Sequence, residues 1–240
     1  MTNTILEPMT LNIKVPTFPE GHWPINPTLI ISKNDVVLVD TGMPGSEEMI
    51  AGELEKYRLS ISQLTKIILT HQDIDHVGSL ASLLEINPNI EVFSHELDRP
   101  YIEGKQPLIK ELPEPLAVQF SEGYIAPSLP FIKRTLADAE ELDVAGGLVV
   151  IHTPGHTEGH ISLYHPMSKT LITGDAMLIR ESTLQGPNPI QTPDLDQAYQ
   201  SLARFAAFDI KRVICYHGGT YESGTLNEEI AQIVEMGPAK

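Results

Sequence analysis

The chain has 240 residues, one cysteine and a formal net charge of −16 at pH 7. Its length suits one domain with a sizeable hydrophobic core. The acidic excess argues against a nucleic-acid partner, because binding to phosphates depends on lysine and arginine. The single cysteine, Cys215, excludes an internal disulfide and agrees with a reducing compartment. We recognise no secretory signal and no membrane-spanning stretch, so we expect a cytoplasmic protein with no membrane partner.

Short apolar runs alternate with helical patterns along the first half of the chain. β-branched runs bounded by turn residues predict strands, and a serine followed by two glutamates predicts a helix start. The predicted elements are strands 28–33 and 36–40, helix 46–57, strand 66–70, helix 78–86 and strand 90–95.

The second half repeats this alternation after an irregular segment. Its predicted elements are strands 147–153, 161–165 and 169–173, helix 193–208, a strand and loop at 212–220, and helix 225–236. Strands joined by short turns, followed by β-loop-α units, recur in both halves. This order favours an α/β fold in which helices cover a sandwich of two sheets. We expect a single domain over residues 1–240.

Residues 104–135 interrupt the alternation. They show no hydrophobic period and are rich in prolines and aromatic residues, namely Pro107, Pro113, Pro115, Phe120, Tyr124, Pro127, Pro130 and Phe131. A loop of this length inside a compact domain is usually functional or disordered. We favour a partly helical substrate flap over a plain surface excursion.

The stretch ILTHQDIDHVGS (68–79) follows a predicted strand directly. It gathers two imidazoles and two carboxylates within six residues, namely His71, Asp73, Asp75 and His76. This cluster has two readings: a polar turn that caps the next helix, or a metal site. Turn and cap roles are common for single residues of these types.

Four other predicted strands end in the same way. Each is followed by an aspartate or a histidine within a turn, namely Asp40, His156, Asp175 and His217. A strand end holds a side chain rigidly while exposing it to a cleft. Five such places, with oxygen and imidazole donors and no thiolate nearby, are hard to explain as turn chemistry. Divalent cations accept this donor set.

These motifs resemble those of the metallo-β-lactamase-fold hydrolases. The family pattern is His-x-His-x-Asp-His, then a histidine in a T-P-G-H-T turn, an aspartate in a T-G-D turn and a late histidine. The resemblance runs from the strand before Asp40 to the loop after His217. It implies a four-layer αβ/βα sandwich of two mixed β-sheets flanked by helices.

The resemblance also implies a dinuclear centre. One metal would take His71, residue 73 and His156, and the second would take Asp75, His76 and His217, with Asp175 bridging both. Asp40 would orient a ligand without binding metal. We expect two divalent ions, with zinc first and iron or manganese as alternatives. A bridging hydroxide would cleave an ester, lactone or related bond of a small molecule, and Asp75 would orient the nucleophile and shuttle a proton.

One departure from the family pattern is Asp73, which stands where the family has its second histidine. Three carboxylates and a hydroxide would cancel the charge of two divalent ions, where the usual histidine would leave one positive charge. The carboxylate also favours harder ions. The rival interpretation is therefore a non-haem iron oxidoreductase, persulfide dioxygenase-like or diiron. A metal-free binding module is a third interpretation. Such a module would be expected to have lost ligands, but all seven candidate positions carry a histidine or an aspartate.

Position 178 bears on the class of substrate. Many lactonases of this family have a tyrosine three residues after the bridging aspartate, where this chain has Leu178. Tyr216 and Tyr124 are candidate substitutes that would stabilise an oxyanion. We expect a small-molecule substrate, and a homodimer is compatible with the sequence.

Overall fold

The computed structural model describes residues 7–16, 21–111, 114, 116–119, 125–127 and 131–238. In the first half the elements are β1 (Met9–Thr10), β2 (Ile13–Pro16), β3 (His22–Ile25), β4 (Thr28–Ile31), β5 (Val36–Val39), α1 (Glu47–Glu55), β6 (Lys66–Ile68), α2 (Ile74–Val77), α3 (Leu80–Ile86), β7 (Glu91–His95), α4 (Arg99–Ile102), α5 (Leu116–Gln119) and β8 (Ile132–Leu136). In the second half they are β9 (Glu141–Leu142), β10 (Leu148–His152), β11 (Ile161–His165), β12 (Thr170–Ile172), β13 (Leu178–Arg180), β14 (Thr183–Gln185), α6 (Leu195–Leu202), β15 (Arg212–Cys215), β16 (Gly219–Glu222) and α7 (Leu226–Met236). Short 3-10 turns occupy Ile61–Gln63 and Ala203–Ala207. Within the described ranges, no helix combines the length and apolar character needed to cross a membrane.

Two six-stranded mixed sheets organise the molecule. The first has the order β1-β4-β5-β6-β7-β8, and its last four strands are parallel to one another. The second has the order β16-β15-β12-β11-β10-β9, with β12 and β15 parallel and the other neighbours antiparallel. The hairpins β2–β3 and β13–β14 form two smaller sheets.

The sheets pack face to face because both faces of their central strands are apolar. Along β5, Val37 and Val39 point to a core shared with the second sheet, whereas Leu38 points to a core on the opposite face. This alternation follows from the two-residue period of a strand. The opposite face of the first sheet is covered by α1 and α3, and that of the second sheet by α6 and α7. The predicted α/β four-layer sandwich is confirmed.

Several elements were not predicted. They include the hairpins β2–β3 and β13–β14 and strand β16, whose strands have only three or four residues each. Strand β8 pairs with β7, so the last four residues of the segment 104–135 belong to the first sheet, and the proposed flap boundary was wrong there. Residues 112, 113, 115, 120–124 and 128–130 lie outside the described residues. That the rest of the segment acts as a flap stays a prediction.

Strand direction brings five loops to one edge of the sandwich. β5 and β6 are parallel neighbours in the first sheet, and their carboxyl ends lead into Asp40 and the stretch 71–76. In the second sheet β10, β12 and β15 run in the same direction, because β10 and β12 are both antiparallel to β11. The loops that follow these three strands carry His156, Asp175 and His217.

Candidate metal centre

The seven side chains predicted as metal ligands converge at this edge, in three overlapping sets. In each set the ligand atoms all lie within 4.8 Å of one another. The sets are His71, Asp73 and His156; Asp75, His76 and His217; and His71, His76 and Asp175. The first two sets match the predicted division into two metal positions.

Asp73 joins the first set instead of capping a helix. It stands at the N-cap position of α2, but its side chain makes no capping hydrogen bond. Its Oδ2 lies 3.0 Å from His156 Nε2 and 3.3 Å from His71 Nε2. The structure therefore favours the site reading of the stretch 68–79 over the reading as a polar helix cap.

Asp175 lies between the two sets. Its Oδ2 is 3.3 Å from His156 Nε2 and 3.4 Å from His217 Nε2, and its Oδ1 is 3.2 Å from His76 Nε2. Asp75 Oδ2 completes the second set at 3.3 Å from His217 Nε2. Asp175 is thus in contact with histidines of both sets, as a bridging ligand would be.

Asp40 orients two of the imidazoles from behind. Its carboxylate accepts hydrogen bonds from the Thr70 backbone N–H, the Thr70 hydroxyl and His76 Nδ1, each 2.8 Å long. Because the hydroxyl hydrogen of Thr70 goes to Asp40, its oxygen can accept from His71 Nδ1 at 3.0 Å. A neutral imidazole that donates through Nδ1 keeps the lone pair on Nε2, which is the atom facing the carboxylates. The predicted orienting contact of Asp40 is present in the structure.

Unpartnered buried atoms test whether these residues fit a metal ion. Within the described part of the chain, five buried side-chain polar atoms have no hydrogen-bond partner, and four of them belong to this cluster. They are His71 Nε2, His76 Nε2, Asp73 Oδ1 and Asp175 Oδ1. Buried polar atoms are normally satisfied, and a divalent cation accepts both imidazole nitrogen and carboxylate oxygen. The donor set fits a metal ion.

The proton equilibria show how strongly the cluster favours positive charge. Burial opposes ionisation of Asp73, but the imidazoles of His71 and His156 lower the pKa of that carboxyl well below its usual value. Burial likewise opposes protonation of His217, yet the carboxylates of Asp175 and Asp75 raise its pKa to about 10. Carboxylates that are ionised at neutral pH and that attract protons onto a buried imidazole will also attract a divalent cation.

A cavity of about 540 Å³ opens over the cluster. Asp73, Asp75, His156, Asp175 and His217 form its floor, and polar side chains, among them Asn188 and Gln191, line its walls. The apolar part of the wall comes from Trp23, Ile74, Leu116, Met177, Leu178 and Ile179. This volume and mixed lining are typical of a small-molecule site.

Sequence reasoning missed Asp98, which ties two loops of the site together. This buried carboxylate accepts hydrogen bonds from the backbone N–H of Gln72 at 3.0 Å, the hydroxyl of Thr157 at 2.7 Å and the backbone N–H of Gly159 at 2.9 Å. Gln72 lies in the loop of His71, and the other two donors follow His156. In the sequence, Asp98 before Arg-Pro looks like a helix N-cap, so no local signal indicates its role.

Sequence reasoning also missed Lys110. Its ammonium donates a hydrogen bond to Asp73 Oδ2 at 2.7 Å, and it lines the cavity. Lys110 belongs to the segment without periodicity, where a lysine carries no recognisable signal. Glu111, Glu114 and Leu116 from the same segment also line the cavity.

Of the two candidate oxyanion residues, the structure describes Tyr216 alone, and it does not support that role. Tyr216 is buried, and its hydroxyl donates to the backbone carbonyl of Asp75, so its proposed oxyanion role was wrong. Tyr124 lies outside the described residues. Leu178 faces the cavity and offers no donor. Cys215 is buried within the second sheet's outer core, and burial raises the pKa of its thiol to about 12, so the thiol is not ionised at neutral pH.

His160 supports the loop that carries Asp175. Its Nε2 accepts a hydrogen bond from the backbone N–H of Asp175 at 3.0 Å, and its Nδ1 lies 2.8 Å from the Thr153 hydroxyl. Burial, with the neighbouring imidazoles of His71 and His156, lowers the pKa of His160 well below its usual value. It therefore stays neutral and can accept at Nε2.

This chain is similar in sequence to known proteins. The family model of the metallo-beta-lactamase superfamily matches residues 21–217. The probable metallo-hydrolase YflN of Bacillus subtilis is 31% identical over 203 residues, which cover 76% of this chain and 75% of that protein. The hydroxyacylglutathione hydrolase of Aeromonas hydrophila is 29% identical over 210 residues, covering 85% of this chain and 64% of that protein.

Solved structures give the same result. The metallo-beta-lactamase family protein TTHA1429 of Thermus thermophilus superposes with a TM-score of 0.72 at 24% identity, covering 95% of this chain and 77% of that one. TTHA1623, solved in a di-iron-bound form, superposes with a TM-score of 0.62 at 27% identity, covering 88% of this chain and 94% of that one. The fold, the family model and these relatives lead to one conclusion: this chain belongs to the metallo-β-lactamase superfamily.

Proposed function

We propose that this protein is a dinuclear metal-dependent hydrolase that cleaves an ester, lactone or related bond of a small molecule. The observation that carries this proposal is the position of Asp175, whose carboxylate contacts histidines of both donor sets. His71, Asp73 and His156 would hold one divalent ion, Asp75, His76 and His217 the second, and Asp175 both. Such ions would lower the pKa of a bound water towards ~7 and polarise the bond under attack.

Asp75 is the proposed catalytic residue. Its carboxylate lies on the cavity floor beside His76 and His217, with only 6% of the residue exposed. Burial opposes its ionisation, but His76 and His217 lower its pKa below the usual value, so it is ionised at neutral pH. An ionised carboxylate here can orient an attacking water, accept its proton and return that proton to the leaving group.

The cavity supports a small and partly apolar substrate. The indole of Trp23 stacks on His217 with ring centroids 5.5 Å apart, so an apolar group bound there lies against the donor cluster. Leu178 and Met177 extend this apolar surface. The name of the Aeromonas relative states that it hydrolyses hydroxyacylglutathione, which supports acyl-bond hydrolysis as the reaction class.

The second candidate is a non-haem iron oxidoreductase on the same scaffold. The specific observations in its favour are the carboxylate of Asp73 in the first donor set and the di-iron form of TTHA1623. Harder oxygen ligands favour iron over zinc.

The test is metal analysis joined to an activity panel. The protein would be purified without added metal, its metal content and optical spectrum recorded, and the metal-free form reconstituted with zinc, manganese or ferrous iron. We expect two ions per chain, no visible absorption, and hydrolysis within a panel of esters, thioesters and lactones. Iron with charge-transfer bands, oxygen consumption and no hydrolysis would support the oxidoreductase instead.

A further inference from the structure

A lysine contacts the cluster of candidate metal ligands. Lys110 Nζ lies 2.7 Å from Asp73 Oδ2, and both side chains are 12% exposed. The same oxygen faces His71 and His156. Among the residues that the structure describes, Lys110 is the one lysine or arginine that forms an ion pair with any of the seven candidate ligands.

Hydrogen bonds of the neighbouring backbone fix the position of Lys110. The backbone N–H of the preceding residue, Ile109, donates to Gln72 Oε1 at 3.1 Å. Gln72 lies between His71 and Asp73 in the chain, and its own backbone N–H is held by Asp98. The segment that carries Lys110 is therefore fixed to the loop that carries Asp73.

The pair changes the charge of the candidate centre. Asp73 alone adds one negative charge to the first donor set, and the ammonium of Lys110 cancels it. Counted from the sequence, two divalent ions, three carboxylates and a hydroxide sum to zero. With Lys110 included, the centre regains one positive charge. A partly buried pair at this distance is screened little by salt.

We propose that Lys110 acts through Asp73 by its charge: the ion pair serves as one electrically neutral ligand and weakens the affinity of the centre for its metal. This inference rests on the proposed function only in requiring that these residues bind metal. A cation bound at Asp73 Oδ2 shares that oxygen with the ammonium, so the two positive charges repel each other. A charge within about 4–6 Å changes an ionisation equilibrium by 10- to 1,000-fold.

The experiment measures zinc dissociation constants by competition with a chromophoric chelator. Lys110→Met removes the charge, Lys110→Gln removes it but keeps a hydrogen-bond donor, and Lys110→Arg keeps the charge. Lys105→Met is the matched control. Lys105 lies in the same segment as Lys110 but is far more exposed, and it pairs with Glu103 instead of a candidate ligand. We expect both neutral variants to bind zinc at least about tenfold more tightly at low salt. We expect Lys110→Arg and Lys105→Met to match the wild type.

Two results would overturn the proposal. Zinc affinity equal to the wild type in both neutral variants would reduce the contact to an ion pair without influence on the metal. Weaker zinc binding in Lys110→Met that Lys110→Gln restores would show that Lys110 only holds Asp73 in place. Because the titration measures metal binding alone, a protein that binds zinc but hydrolyses nothing would refute the proposed function and leave this inference to be decided by the titration.

Discussion

Replacing Asp40 by asparagine tests whether the buried contacts behind the cluster prepare it for metal. Asp40 has a φ of +65°, a left-handed conformation that asparagine also tolerates, so the substitution preserves the backbone. The carboxylate accepts three hydrogen bonds, whereas an amide offers one accepting oxygen. If that oxygen keeps the Thr70 backbone N–H, the new NH₂ group faces His76 Nδ1. His76 must then carry its proton on Nε2, the atom that would bind metal.

The magnitude follows from the tautomer that the structure sets. Removing the partner of a metal-ligating histidine typically costs 10- to 100-fold in metal affinity. This corresponds to about 1.4–2.8 kcal/mol, since a factor of ten is about 1.4 kcal/mol. We therefore expect the zinc dissociation constant of Asp40→Asn to rise by one to two orders of magnitude, with hydrolysis reduced at zinc concentrations below it.

The matched control is Asp35→Asn. Asp35 precedes β5 and Asp40 follows it, and Asp35 likewise accepts hydrogen bonds, from Lys66 at 2.5 Å and the Ala145 backbone N–H at 3.1 Å. Zinc affinity would be measured by chelator competition and folding by thermal unfolding in chelator. We expect Asp35→Asn to bind zinc like the wild type. Equal zinc affinity in Asp40→Asn and the wild type would refute the argument from the His76 tautomer.

Three further predictions use other parts of the structure. Asp175→Asn should lower zinc content from two ions per chain to one or fewer and abolish hydrolysis, because Asp175 contacts both donor sets; two retained ions by elemental analysis would contradict this. Zinc at about 1,000 times its dissociation constant should add ~4 kcal/mol of stability, raising Tm by roughly 8–16 °C over protein in chelator for a chain of this size; calorimetry with an unchanged Tm would show that no folded-state site binds zinc. Burial, aided for His95 by the stacked His152, lowers the pKa of His95 and His165 below the usual 6.5. As the pH falls, these histidines are therefore protonated in the unfolded chain before they are protonated in the folded one. Their contribution to the free energy of unfolding is complete above pH ~6.5 and is lost as the pH falls, by up to about 1.4 kcal/mol per pH unit and group. Urea unfolding between pH 7.5 and 5.5 in chelator should accordingly show a flatter pH dependence for His95→Asn than for the wild type, and identical slopes would count against the argument.

The regular elements could be predicted because their signals are local. The runs that became β4, β5 and β6 are mostly apolar and largely buried, as expected for strands covered on both faces. Because a local signal needs several residues, some short elements were missed. β9 and β13 have two and three residues, too few to display a period. The helix over 193–208 ends at Leu202 and continues as a 3-10 turn, a difference in hydrogen bonding that residue pattern does not record.

The sequence by itself determined which residues stand at strand ends and that their donors suit a divalent cation. Four candidate residues are neighbours in the chain, namely His71, Asp73, Asp75 and His76. A repeated pattern, an apolar strand followed by a turn with an aspartate or a histidine, indicates Asp40, His156, Asp175 and His217. Parallel strands then place such ends at one edge of a sheet, so convergence of these side chains follows from fold class.

Only the tertiary structure decided which groups surround those donors. Lys110 reaches Asp73 across 37 positions, and the Tyr216 hydroxyl meets the Asp75 carbonyl across 141. Asp73 and Asp98 both occupy helix N-cap positions, yet neither side chain caps its helix, because buried donors from distant loops compete for these carboxylates. Contacts of this kind depend on how loops pack once the sheets have formed, and no residue pattern within a few positions of either partner encodes them.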